Sequence, residues 1–286
     1  MPTALEELLA LLDLEAIEVN IFRGLSPKDR SQRVFGGQVL AQALVAANRT
    51  VEDRLAHSLH AYFILPGDPK APILYEVDRS RDGASFTTRR VVAIQHGRPI
   101  FNMAVSYHIQ EDGLEHQFPM PDVPPPESLP PEVEVRKALA EKVPEKDRYW
   151  ILRDRPIEQR DVEPRDWLRS EKSPPFQHIW TKADGKLPDD PKLHQCILAY
   201  ASDMALLDTC LLPHGINWNS GKLIMASLDH AMWFHGPFRA DEWLLFAHDS
   251  PVSRGARGFN RGSVFTRDGK LVASTAQEGL MRLKTR

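Results

Sequence analysis

The apolar positions of the first half gather into runs rich in β-branched and aromatic residues: His57–Leu65, Ile73–Arg79, Ser85–His96 and Ile100–His108. Such runs predict strands. They are separated by turn chemistry at Pro66-Gly67-Asp68, Arg81-Asp82-Gly83 and His96-Gly97-Arg98-Pro99, and short loops between consecutive strands imply an antiparallel sheet. Ahead of them, Val34-Phe35-Gly36-Gly37-Gln38 leads into Val39–Asn48, an alanine- and leucine-rich stretch of good helix propensity. Its paired glycines fit a sharp entry turn and close backbone approach. The second half predicts strands around Trp150–Val162 and Gln177–Lys182, then a helix over Leu193–Leu207. Strands follow at Lys222–Phe234, Trp243–Ser250, Gly258–Thr266 and Leu271–Arg282. Each half thus reads as a helix with a run of antiparallel strands, an α+β pattern in which a sheet wraps a helix.

The two halves also repeat each other. His60-Ala61-Tyr62-Phe63 is answered by His230-Ala231-Met232-Trp233-Phe234, and Gly83, Phe86 and the turn His96-Gly97-Arg98 by Gly255, Phe259 and the turn Asp268-Gly269-Lys270, at offsets of 170–173 residues. A period this long is a copied domain rather than a solenoid repeat. Between the copies, residues 119–131 hold seven prolines, which exclude a sheet or helix interior and predict an extended connection over the surface. Residues 1–14 read as a short amphipathic helix, with Glu6, Glu7 and Asp13 where a signal peptide would need a basic and then apolar stretch.

Composition narrows the function classes. The 286 residues are 42% hydrophobic and 26% charged, with a net charge of −3, which suits a soluble globular protein and gives nucleic acid no basic face. No apolar run reaches the roughly 18 residues of a membrane span. Cys196 and Cys210 alone build neither a disulfide framework nor a thiolate metal site. The expected location is the cytoplasm.

Where one copy is polar and the other apolar, the repeat marks candidate chemistry. Aligning Gln38 with Gln195 puts Asp203 in the place of Ala46, among Ala199, Tyr200, Leu206 and Leu207 at helical spacings. A carboxylate there is either an edge residue held by the backbone or solvent, or a functional group, because burying it without partners is costly. Ser227 stands opposite His57 and can be a small polar filler. Gln277 stands opposite Val105, an amide replacing a valine on a sheet face. One pocket gathers all three only if the helix packs across that sheet. Other chemistry fails on spacing: there is no Gly-x-Ser-x-Gly elbow, no phosphate-binding loop, and no zincin pattern around His57, His60, His230 and His235, which read as packing or hydrogen-bonding histidines. Arg254, Arg257 and Arg261 are either a solvated strand face or contacts for a phosphate-bearing ligand.

Several segments resemble the acyl-CoA thioesterase II family. They are Arg33-Val34-Phe35-Gly36-Gly37-Gln38, His57–Phe63 with Pro66-Gly67-Asp68, Tyr200-Ala201-Ser202-Asp203, Asp229–His235, Ala256-Arg257-Gly258-Phe259 with Arg261-Gly262, and Gln277-Glu278-Gly279. The resemblance implies a double hotdog fold: an N-terminal hotdog domain over residues 1–115, a proline-rich linker over 116–148 and a catalytic hotdog domain over 149–286. It implies catalytic Asp203, Ser227 and Gln277, with Ser227 where many bacterial members carry threonine. The implied reaction is hydrolysis of medium- to long-chain acyl-CoA by an activated water. Asp203 would act as base, and an oxyanion donor would come from the start of the second central helix. Since no base stands near Ser227 in the sequence, an acyl-enzyme is not expected. No metal or redox cofactor is implied, coenzyme A being part of the substrate, and neither nucleic acid nor membrane is an expected partner. A homodimer or homotetramer is expected. Two alternatives stay open: a hotdog hydratase or dehydratase, for which His194 near a helix start would be the candidate group, and a non-catalytic acyl-CoA-binding protein.

Overall fold

The two glutamines of the first alanine-rich stretch show how the first half is assembled. In the computed structural model, which describes residues 2–29, 31–164, 171–216 and 221–284, that stretch is helix α2 (Gly36–Asn48), buried over nearly its whole length. A helix apolar on all sides belongs in a core, and its polar members must find partners there. Gln42 donates to the carbonyls of Leu11 (2.7 Å) and Leu25 (3.0 Å) and accepts from the Tyr75 hydroxyl (2.7 Å), while Gln38 donates to Leu25 O at 3.0 Å. These bonds tie α2 to α1 (Ala4–Leu12) and to the end of strand β2 (Ile21–Gly24). Helix α1 is closed by a reciprocal Thr3/Glu6 capping box and buries Leu5, Leu8 and Leu12, an amphipathic stripe.

Around α2 lie β1 (Glu15–Glu18), β2, β3 (Leu55–Phe63), β4 (Ile73–Asp82), β5 (Phe86–Gln95) and β6 (Arg98–His108). The second half supplies β7 (Ile157–Asp161), β8 (Phe176–Ala183), helix α5 (Pro191–Ser202), β9 (Leu223–Ser227), β10 (Asp229–Phe234), β11 (Leu244–Arg254), β12 (Arg257–Thr266) and β13 (Leu271–Leu283). All pairings are antiparallel, and the strands form one sheet in the order β1-β2-β4-β5-β6-β3-β10-β13-β12-β11-β8-β7, with β9 also on β13. The order β2-β4-β5-β6-β3 is matched by β8-β11-β12-β13-β10, so the halves are topological copies. They join edge to edge where Leu59 pairs with Met232 and Ala61 with His230. Beneath the seam α2 packs on α5, and one core runs from Leu40, Leu44 and Leu59 to Ile197, Leu198 and Met232.

The structure shortens or divides three expected elements. The helix expected to reach Leu207 stops at Ser202, and a 3-10 turn covers Leu207–His214. Together Pro191–His214 spans 24 residues and holds an 18-residue window of mean hydropathy 1.4, and its first half is the buried central helix. The strand expected over Trp150–Val162 begins only at Ile157, because Glu145–Leu152 is helix α4. The run Lys222–Phe234 is broken at Leu228 into β9 and β10, both on β13. The first copy carries the same irregularity: His57 is a bulge between the Ala56–Tyr107 and Ser58–Ser106 pairs. The β1–β2 hairpin and the linker helix α3 (Glu132–Glu141), like α4, were not foreseen. Pro131 and Pro144 sit at the N-caps of α3 and α4, where proline starts a helix rather than breaking one. The proline-rich segment crosses the outer face of the second half. Met120, Val123 and Leu129 cover Trp180, Leu245 and Phe265 there, and Trp180 donates to Pro124 O at 2.9 Å.

Candidate active site

Asp203 is the C-cap of α5, in right-handed helical geometry (φ −89°, ψ −1°), and therefore sits at the mouth of the helix rather than on its side. Because α2 and α5 run antiparallel, this end of α5 meets the N-terminal end of α2. The Phe35 ring packs edge-on against Tyr200 at 5.1 Å. A Cβ at Gly37 would stand 2.5 Å from Tyr200 O, and one at Gly36 would stand 2.6 Å from Asp203 Oδ2 and 3.0 Å from the Phe63 ring. The paired glycines are thus required by close approach, as the sequence proposed: Gly37 meets the Tyr200 carbonyl and Gly36 the Asp203 carboxylate.

The structure brings the three sequence-predicted residues together. Gln277 Nε2 donates to Asp203 Oδ1 at 2.6 Å, and Ser227 Oγ donates to the same oxygen at 3.3 Å. The Gly37 backbone N–H also donates to the carboxylate. Burial dominates over these three bonds and raises the Asp203 pKa from 3.8 to about 6. Gln277 is inward-facing on β13 and Ser227 ends β9 at the break, so the bulge turns the hydroxyl toward the helix end. A cavity of about 240 Å³ opens onto Ser227 and Gly36, walled by Val39, Phe63, Leu65 and Phe101 from the first half, with the exposed Arg33 at its edge.

Two further residues complete the cluster and were missed. His230, fully buried on β10, lies 3.2 Å by its Nδ1 from Gln277 Nε2, and its Nε2 lies 3.0 Å from Ser202 Oγ. Burial pushes its pKa down to about 4, so the ring is neutral. The repeat hid this residue by pairing it with His60. The seam register places Ala231 opposite His60 and His230 opposite Ala61, so the two histidines face opposite sides of the sheet. His60 is exposed and packs on Trp233 at 5.2 Å, and the buried counterpart of His230 is apolar Leu59. Had facing been tracked along with motif, His230 would have joined Asp203 and Gln277 as a third polar-for-apolar difference.

Comparison with known proteins agrees with this geometry. A family model described as acyl-CoA thioesterase matches residues 151–280, and one described as acyl-CoA thioesterase N-terminal domain matches residues 26–108. Human acyl-coenzyme A thioesterase 8 is 44% identical over 96% of this chain and 88% of its own length. Acyl-CoA thioesterase 2 of Haemophilus influenzae is 41% identical over 99% of both chains. The chain belongs to the acyl-CoA thioesterase family. The crystal structure of the acyl-CoA thioesterase II TesB2 of Mycobacterium marinum superposes with a TM-score of 0.80 at 41% identity, covering 97% of this chain and 99% of that one. The expected double hotdog is the fold of these thioesterases.

Within this acyl-CoA thioesterase fold the remaining candidates take bland roles. His194 lies in the first turn of α5, away from Asp203, and its Nδ1 accepts from Ala240 N at 3.1 Å. Arg261 makes a two-pronged pair with Asp249 (2.8 and 2.9 Å) and Arg257 pairs with Glu278 (2.8 Å), as a solvated strand face would. Cys196 and Cys210 are buried free thiols. Among the described residues, no three His, Cys, Asp or Glu side chains gather as a metal site requires.

Proposed function

We propose that the chain hydrolyses medium- to long-chain acyl-CoA thioesters to the free acid and coenzyme A, with Asp203, Ser227 and Gln277 as catalytic residues. The observation that carries the reading is the carboxylate of Asp203, held by Ser227, Gln277 and Gly37 and poised to change charge at about pH 6. A carboxylate with this pKa is ionised at neutral pH yet basic enough to take a proton from water as attack proceeds. Ser227 and Gln277 fix its orientation and, with it, the place of the attacking oxygen.

The oxyanion donor expected at the second central helix is reassigned. The start of α5 lies at the opposite end of that helix from Asp203, where Lys192 Nζ donates to Glu52 O at 2.9 Å. At α2, by contrast, internal bonding begins with Gln38 and Val39 donating to Phe35 O, so the amides of Gly36 and Gly37 precede the ladder. Gly36 borders the cavity, and we assign its N–H, at the positive end of α2, to the developing oxyanion. The site then draws on both halves: base, hydroxyl and amide from the second, helix N-terminus and cavity wall from the first.

Contrary to the expectation from the sequence, Ser227 does have a possible base beside it, the Asp203 carboxylate at 3.3 Å. Water attack remains our reading: the same oxygen also binds Gln277, so Asp203 orients more than it deprotonates the serine. Quenched single-turnover reactions examined by mass spectrometry test this, and an acylated Ser227 overturns it. Thiol release from acyl-CoA substrates of graded chain length tests the activity, and its absence with every chain length refutes it. The same proposal extends to a cytoplasmic homodimer or homotetramer working without metal or redox cofactor. Light scattering and activity after chelation check the last two points.

A further inference from the structure

Behind the catalytic trio lies a hydrogen-bonded chain whose direction can be read atom by atom. Gln277 Nε2 contacts two groups, Asp203 Oδ1 at 2.6 Å and His230 Nδ1 at 3.2 Å. An amide nitrogen carries two hydrogens and a carboxylate only accepts, so one hydrogen goes to each contact. His230 Nδ1 is then an acceptor, and the proton of the neutral ring resides on Nε2. That N–H donates to Ser202 Oγ at 3.0 Å, and the serine hydroxyl donates in turn to Ala199 O at 2.9 Å. Ala199 O is a helix carbonyl and can only accept. The chain therefore runs from Gln277 outward in both directions, to a carboxylate at one end and to the α5 backbone at the other.

We propose that His230 is a positioning residue for hydrolysis, locking the Gln277 amide with nitrogen toward Asp203 by offering it an acceptor on the far side. The inference rests on the thioesterase reading of the site. Without the acceptor, the second Gln277 hydrogen is left unpaired in a buried place, where no water can satisfy it. The rotated amide would then face its oxygen to the Asp203 oxygen, a repulsive contact at 2.6 Å. Ser202 holds the ring in the tautomer the lock requires, and both Ser202 and His230 are completely buried, so water supplies no substitute. The low pKa of the ring agrees with the geometry, since a protonated imidazole would point a donor at the amide nitrogen.

The contrast between two variants tests the proposal. In His230→Asn the side-chain oxygen takes the place of Nδ1 and still accepts from Gln277. In His230→Gln the amide takes the place of Nε2, keeping contact with Ser202 while the acceptor toward Gln277 is lost. His230→Gln is expected to lose about a hundredfold in kcat with KM within about twofold, and His230→Asn to stay within about tenfold of wild type in kcat. Equal losses in the two variants, or a loss carried by KM, would overturn the proposal, since a packing role has no preference between them. A second measurement does not depend on the variants folding. Nitrogen-15 NMR of histidine-labelled wild type is expected to show the His230 ring with its proton on Nε2, and a proton on Nδ1 refutes the lock. Wild type that releases thiol from no acyl-CoA would sink the thioesterase reading instead, leaving the tautomer result standing.

Discussion

Replacing Asp203 with asparagine should trade activity for stability, with a sign that depends on pH. Raising the carboxyl from 3.8 to about 6 corresponds to on the order of 3 kcal/mol that the folded state loses when the group ionises. Below pH 4 the group is protonated in both the folded and the unfolded chain, and the penalty is absent. Between pH 4 and 6 the unfolded chain has released the proton while the folded one keeps it, so stability falls as pH rises, and above pH 6 the whole penalty is present. Asparagine never ionises and escapes this loss. Its oxygen can accept from Gln277 and Ser227 as before, but its amide nitrogen cannot accept on the other side as the second carboxylate oxygen does, a mismatch costing about 1–2 kcal/mol at every pH. Asp203→Asn should thus be less stable than wild type by about 1–2 kcal/mol below pH 4 and more stable by a similar amount above pH 7. In a chain of this size that is a shift of a few degrees in each direction. Thermal unfolding of both proteins in steps from pH 4 to 8 measures it, while thiol release at pH 7.5 should show kcat reduced at least about a hundredfold. Two parallel stability curves would refute the assignment of a desolvated carboxylate. Near-wild-type kcat would refute the base.

Wild-type kcat should rise with pH through about 6 and level off above it, as the base form of Asp203 appears. Gln277→Glu places a second carboxylate 2.6 Å from the first, so its acid limb should move to higher pH; a limb that moves down, or not at all, contradicts the pairing. Gly36→Ala drives a methyl into Asp203 Oδ2 and Phe63 and should cut kcat by about a hundredfold while the fold persists, read from kinetics alongside circular dichroism. Gly37→Ala meets a backbone carbonyl that cannot step aside and should cost about 1–3 kcal/mol in urea unfolding. Arg89, fully buried on β5, donates to Thr50 Oγ1 and the carbonyls of Thr50, Arg81 and Thr88. Arg89→Met should destabilise by about 3 kcal/mol with little change in KM, and a neutral urea midpoint would contradict this.

Much of this was legible because antiparallel strands leave a two-residue period and the duplication supplies an internal comparison. The polar-for-apolar contrasts at Asp203 and Gln277 pointed to groups that the structure places 2.6 Å apart. What was not legible depends on facing and on which ends meet. His60 and His230 match as letters, but a one-residue difference in register puts one in water and the other beside Gln277. The oxyanion donor was sought on the helix that carries Asp203. Only antiparallel packing of α2 on α5 shows that the amide of the other helix comes near. Helices α3 and α4 escaped because few of their residues are buried, leaving little amphipathic signal, and their bordering prolines read as breakers.

The seam between β3 and β10 has a consequence for how such a chain can change. Two identical hotdog subunits paired edge to edge would carry two equivalent helix-end junctions, and any substitution would strike both. Here the second junction, where α5 begins beside the end of α2, is closed. Lys192 reaches the carbonyls of Val51 and Glu52 there, and Asn48 donates to the Cys196 sulfur at 3.4 Å. Covalent fusion releases the two ends from one another, so one can be shaped for reaction and the other for cohesion. The freedom is limited, because Gly36 belongs to the half without Asp203 and still borders its carboxylate. Neither half should tolerate exchange for that of a distant relative unless its partner changes with it.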